Sequence, residues 1–212
     1  MIINPVVNPS IMRFIFRDFI WTSKTNKILL TFDDGPIPET TTAILKELNY
    51  HKIKTIFFCV GNNVKKNPGL VNEILSEGHQ IGNHTYNHQN ITGRNKDEIL
   101  LSIIDYNKYV KDKFGYKIKY FRPPHGRINL NSSSIIKTAR LKNVMWSLLT
   151  YDYKNDIKIV KFTINKYLKK NSIIVLHDSL KSKDIIKDSM NIIFDKSLAK
   201  GFTIGEPSEC LN

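Results

Sequence analysis

Five short apolar runs in this sequence each lead into a polar residue able to do chemistry. KILLTF (27–32) runs into Asp33 and Asp34, HQIGN (79–83) into His84, and IKYF (118–121) into Arg122. NVMWSL (143–148) leads through a short loop to Asp152, and SIIVL (172–176) ends on His177. Patterns of helical period lie between the runs, at 38–51, 68–78, 95–115, 131–142 and 157–170, with a Lys-rich stretch to about Lys200. Strands alternating with helices imply parallel βα units. Strands apolar on both sides suit a sheet covered on both faces. An open doubly wound sheet and a βα barrel both fit this α/β pattern, and in either the chemistry belongs at the carboxyl ends of the strands.

Local signals place further elements. KTIFFCV (54–60) reads as a second strand, and GFTIG near the end as a last one. Pro38 suits the first turn of its helix. Asn95 can cap the longest helix, with Glu98 at capping-box spacing and Gly115 as its stop. Gly78 suits the position after the helix at 68–78. The expected organisation is an extension at 1–26 that packs on a catalytic domain at 27–212. The opening MIINPVVNPSIMRFIFRDFIW is interrupted by Pro5, Asn8 and Pro9, with Arg13, Arg17 and Asp18 close behind. It reads as a poor export signal and is too broken for a transmembrane segment. Cys59 sits in an apolar run and Cys210 near the end, in no metal-binding spacing; Cys210 is a candidate for exposure.

The strand ends supply a candidate centre. His84 and His88 in HTYNH are four apart, so a helical turn would set both imidazoles on one face, within reach of one ion. Two imidazoles and a carboxylate form a recurring three-ligand set for zinc, with a position open for water. Asp33 or Asp34 is the natural third ligand. The other acid would be left to take a proton from water that such an ion polarises. Taken alone, FDDG is also a turn signal. His177 could serve as a general acid toward an amine leaving group, held and made more basic by Asp152.

The chain resembles the polysaccharide deacetylase family, the NodB homology domain of carbohydrate esterase family four. TFDDG (31–35), HTYNH (84–88), RPPHG (122–126), WSLLTYDY (146–153) and VLHD (175–178) match its five motifs in order. The resemblance implies a distorted (β/α) barrel that removes acetyl groups from N-acetylated glycans with a divalent metal, zinc first, cobalt or another divalent ion as alternatives. It implies Asp34, His84 and His88 as metal ligands, Asp33 as general base and Arg122 as its partner. It implies the His125 backbone N–H at the oxyanion and His177 as the acid tuned by Asp152. Pro124, Tyr153 and Val175 fall with His125 around the substrate. Departures are Leu149 and Tyr153, where the fourth motif has Asp and Trp, His125, where an aromatic is frequent, and Val175 for Leu. They bear on substrate preference.

Two rivals share these residues: an amide hydrolase acting on a non-sugar substrate, and a non-catalytic glycan-binding relative. The balance of 32 Lys and Arg against 19 Asp and Glu gives +13. A basic surface of this kind attracts anions. The excess is mostly Lys scattered among Ile and Asn, without a basic block interleaved with aromatics, so nucleic acid is not an expected partner. The expected state is a monomer. Compartment stays open, cytoplasmic by the missing signal and cell envelope or secreted by family habit.

Overall fold

The computed structural model of the chain describes residues 10–212. The elements run α1 (Ser10–Ile15), β1 (Lys27–Asp34), α2 (Pro38–Tyr50), β2 (Ile56–Cys59), α3 (Gly61–Lys66), α4 (Pro68–Ser76) and β3 (Gln80–Asn83). They continue α5 (Lys96–Phe114), β4 (Tyr120–Phe121), α6 (Leu130–Thr138), β5 (Lys142–Asn143), β6 (Leu148–Leu149), α7 (Ile157–Tyr167), β7 (Ile173–His177), α8 (Ile186–Ala199), β8 (Thr203–Ile204) and α9 (Pro207–Cys210). Every strand pair is parallel, in the order β5-β4-β3-β2-β1-β7-β6, with β8 added to β1. The apolar runs explain the centre of the sheet. Ile28 to Phe32 on β1 and Ile173, Ile174 and Leu176 on β7 are shut off from solvent, with their apolar side chains inside one hydrophobic cluster that the strands share with the surrounding helices.

The sheet curls into a half-barrel, the distorted (β/α) barrel that the resemblance implied. Its two ends, β5 and β6, follow one another in the chain. Ile20 extends the β5 end by bridging Val144, the residue after that strand. The Ile20 N–H donates to the Asn143 carbonyl at 2.8 Å, and the Met145 N–H donates to the Ile20 carbonyl at 2.8 Å. Phe16, Phe19, Ile20 and Trp21 are buried in the same hydrophobic cluster as the sheet. Residues 1–9 of the expected extension lie outside the described residues.

Helix ends follow their local chemistry. The Asn95 side chain accepts from the N–H groups of Asp97 and Glu98, and Gly115 closes α5 at φ 66° in the left-handed region. Gly78 follows α4 at φ 82°. Three expectations are corrected and one holds. Residues 143–148 are not one strand: β5 and β6 pair with opposite ends of the sheet, and residues 144–147 cross between them. The strand expected to end in the Pro-Pro loop of 118–126 does so, with pairing at Tyr120–Phe121, since Pro123 and Pro124 lack the N–H a ladder needs. Residues 84–88 form a bent loop rather than a helical turn, with Thr85 at φ 63° and His88 at φ 53°. Cys210 is buried, not exposed, and both cysteines are free thiols. Among the described residues, no helix is long and apolar enough to cross a membrane.

Candidate active site

Parallel strands end in step, and that brings the polar residues together. Asp33 on β1 is the register partner of His177 on β7, Asp34 that of Cys59, and Cys59 that of Asn83, immediately before His84. A cavity of about 330 Å³ opens over these ends, lined by Asp33, Asp34, His84, His88, His125 and His177 among others. Adjacent residues of a strand normally face opposite sides. Asp33 and Asp34 share the cavity because Asp34 leaves the strand conformation at φ 81°. The next residue is Gly35, where a Cβ would come within 1.9 Å of the Asp178 carboxylate. Only glycine permits that approach.

Asp33 is fixed by a buried cation. Its Oδ1 accepts from Arg122 Nη1 at 2.7 Å, and the guanidinium also donates to Thr31 Oγ1 at 2.7 Å, the Val144 carbonyl at 2.9 Å and the Met145 carbonyl at 3.0 Å. It lies 4.1 Å over the Phe58 ring, a favourable place for a planar cation. Arg122 is fully buried, and desolvation lowers its pKa from the ordinary value. Four hydrogen bonds, one of them the ion pair with Asp33, are the compensation that a charge in this position requires.

Asp34, His84 and His88 offer ligand atoms that all lie within 4.8 Å of one another. His88 Nε2 stands 3.1 Å from Asp34 Oδ1 and His84 Nε2 stands 3.6 Å from it. His84 Nδ1–H donates to the Arg122 carbonyl at 2.7 Å, which leaves Nε2 with a lone pair toward the cavity. Burial lowers the His84 pKa and favours the neutral ring. Burial would raise the Asp34 carboxyl, but the hydrogen bond from His88 and the surrounding imidazoles hold it well below the usual range. Two imidazole nitrogens and an ionised carboxylate, one nitrogen oriented by a backbone acceptor, match a zinc-type donor set with room for a further ligand.

His177 stands opposite. Its Nδ1–H donates to Asp152 Oδ1 at 2.7 Å, and its backbone N–H donates to Asp152 Oδ2 at 2.6 Å. Asp152 is shut off from solvent and also accepts from Thr150 Oγ1 at 3.0 Å. Burial lowers the His177 pKa, yet the Asp152 carboxylate outweighs it and raises the value to about 9. The ring remains an imidazolium at neutral pH, with Nε2 left free by the Asp152 contact.

Of the residues expected around the substrate, His125, Tyr153 and Val175 line the cavity, whereas Pro124 is buried in the 3-10 turn Pro124–Gly126 and does not. Tyr153 packs edge-on to His177 with centroids 4.9 Å apart. Leu149 makes the wall apolar together with Val175 and Trp146. Asp178 was missed by sequence reasoning. It accepts hydrogen bonds from the Thr40 and Thr41 hydroxyls, and burial raises it to about 7. Its N–H donates to the Asp33 carbonyl at 2.7 Å, so it braces β7 against β1 and α2. The only signal was a second acid after His177 in VLHD.

Comparison with known proteins agrees with this geometry. Residues 22–144 match the family model described as polysaccharide deacetylase. A peptidoglycan-N-acetylglucosamine deacetylase of Bacillus cereus is 41% identical over 128 residues, 60% of this chain and 46% of that protein. The chain thus spans less than half of that relative. A second protein of that name from Bacillus cereus is 32% identical over 196 residues, covering 90% of this chain and 92% of the relative. A crystal structure of a peptidoglycan N-acetylglucosamine deacetylase, in complex with a naphthalenyl-substituted N-oxidanyl-benzamide, superposes with a TM-score of 0.85 at 30% identity over 96% of this chain and 97% of that one. A family pseudoenzyme from Bacillus anthracis shares the fold at a TM-score of 0.80 and 22% identity, over 91% of this chain and 68% of that one. The fold by itself therefore does not imply turnover.

Proposed function

The chain belongs to the polysaccharide deacetylase family, and on that premise we propose that it is a divalent-metal-dependent hydrolase of N-acetylated glycans, releasing acetate and leaving a free amine. N-acetylglucosamine in peptidoglycan is the first candidate substrate, given the names of its relatives, with chitin-like and poly-N-acetylglucosamine chains next. Such glycans lie outside the cytoplasm, so a working site at the cell envelope is part of the proposal.

One observation carries the reading: Asp33 and His177, register partners on neighbouring strands, face one cavity, the carboxylate held by Arg122 and the imidazole by Asp152. Asp34, His84 and His88 would hold the metal, zinc by its donor set, and a bound divalent ion supplies a Lewis acid that acidifies water and polarises a carbonyl. Asp33, held by Arg122, accepts the proton of the attacking water. The His125 backbone N–H would steady the oxygen of the tetrahedral intermediate. His177 gives its Nε2 proton to the departing nitrogen, and Asp152 keeps it charged until then. Leu149, Val175, Trp146 and Tyr153 wall the cavity toward the acetyl methyl. The complete set of acid, base and ligand side chains favours turnover over glycan binding alone.

Acetate release from peptidoglycan, chitin and poly-N-acetylglucosamine oligomers tests the reading, with zinc added and with a chelator. Release from at least one polymer, lost with chelator and regained with zinc, is the expected outcome. No acetate from any polymer with zinc restored would remove the proposal.

A further inference from the structure

One exposed cation lines this cavity, and a second follows directly on the turn that carries His125. Lys181 lines it directly, reaching over from the loop after β7. Arg127 sits two residues after His125, on the turn after β4. Both are close enough for their charges to act on the His125 ring. Among the described residues, neither side chain has an ion pair or a hydrogen bond, unlike Lys27, Lys108, Lys137 and Lys187, each of which has an acidic partner.

The loop under Lys181 is held in place. The Ser182 hydroxyl donates to the Ser179 carbonyl at 2.9 Å, the Ser182 N–H donates to the same carbonyl at 3.1 Å, and Asn155 Nδ2 donates to Asp184 Oδ2 at 3.2 Å. The cavity offers these cations no internal counter-charge. Its two carboxylates are engaged, Asp33 by Arg122 and Asp34 by the imidazoles. Placing a positive pair at the rim of a small cavity focuses attraction on an anion arriving with the substrate.

We propose that Arg127 and Lys181 form an anion-binding rim that recognises a carboxylate carried by the glycan on the sugar that enters the cavity or on its neighbour. The preferred substrate is then an acidic N-acetylated glycan rather than a neutral one. This inference rests on the deacetylase reading. Both rim contacts are solvent-facing, so the two together should change specificity by roughly two- to thirtyfold.

The test uses the full zinc-loaded chain and two peptidoglycan-type oligomers of equal length. One carries free carboxylates and the other has them amidated. The wild type should turn over the free-acid form with the higher kcat/KM by the stated factor, through a lower KM, and added salt should erode the difference. The ratio between the two oligomers should fall to about one in the Arg127→Gln, Lys181→Gln double variant and recover in Lys181→Arg. An equal kcat/KM for both oligomers at low salt, or a double variant that keeps the wild-type ratio, overturns the rim. Acetate release from neither oligomer strikes instead at the deacetylase reading beneath it.

Discussion

Asp33 and Asp34 are neighbours in the chain and do different work because their surroundings differ. Arg122 reaches Asp33 from the end of β4, and the imidazoles reach Asp34 from the loop after β3. Sequence alone showed two acids at a strand end and left their roles open. The division depends on a backbone turn at Asp34 that no propensity announces. The Asp152–His177 pair makes a pH prediction. Folding raises His177 from its ordinary value near 6.5 to about 9. The stability this pair contributes is therefore complete below about 6.5 and lost as pH climbs through about 9. A divalent ion on Asp34 would repel the imidazolium and pull that value down. The alkaline limb of kcat should then lie below 9 in the loaded enzyme. Asp152→Asn should move it further toward lower pH and cut kcat, while zinc content is kept. An unmoved limb would show that Asp152 does not tune His177.

At the scale of elements, the strands were legible and the loops that carry the chemistry were not. Apolar runs bounded by polar residues gave every strand of the sheet centre, and caps such as Asn95 and Gly115 gave the longest helix. The prolines at 123 and 124 marked the end of β4, but the crossing between sheet ends after Asn143 was misjudged. Positive φ recurs at Asp34, Thr85, His88, His125 and Tyr151, all at strand ends beside the cavity. Such backbone is costly for side chains with a Cβ and persists where surrounding contacts enforce it. It also explains why HTYNH gathers two imidazoles without a helix. Gly126 shows how tightly one of these turns is packed. It has φ 64°, and a Cβ there would lie 2.2 Å from the Trp146 ring. Gly126→Ala should lower stability by about 1–3 kcal/mol and reduce kcat several-fold by displacing His125. Its metal ligands, on other loops, should still bind zinc. Full activity at unchanged melting temperature would contradict this account of the turn.

For the whole molecule, the curled sheet makes one end of the barrel a collecting point. Residues from β1, β3, β4 and β7 meet there although they lie far apart in sequence. Fold class followed from alternation. The pairing at the β5 end did not, because it uses Ile20, a residue before the first strand, bridged to Val144. Cys59 was legible as a core residue of its apolar run, but Cys210 was not, since its burial follows from α9 folding back beside β1. The most direct test of the central claim pairs two readouts on three proteins: bound zinc and acetate release for the wild type, Asp33→Asn and Asp34→Asn. The account predicts that Asp33→Asn keeps its zinc and loses turnover by at least about a hundredfold, as expected for removal of a general base, whereas Asp34→Asn loses zinc and activity together. Wild-type turnover in Asp33→Asn, or zinc retained at wild-type affinity in Asp34→Asn, would contradict it.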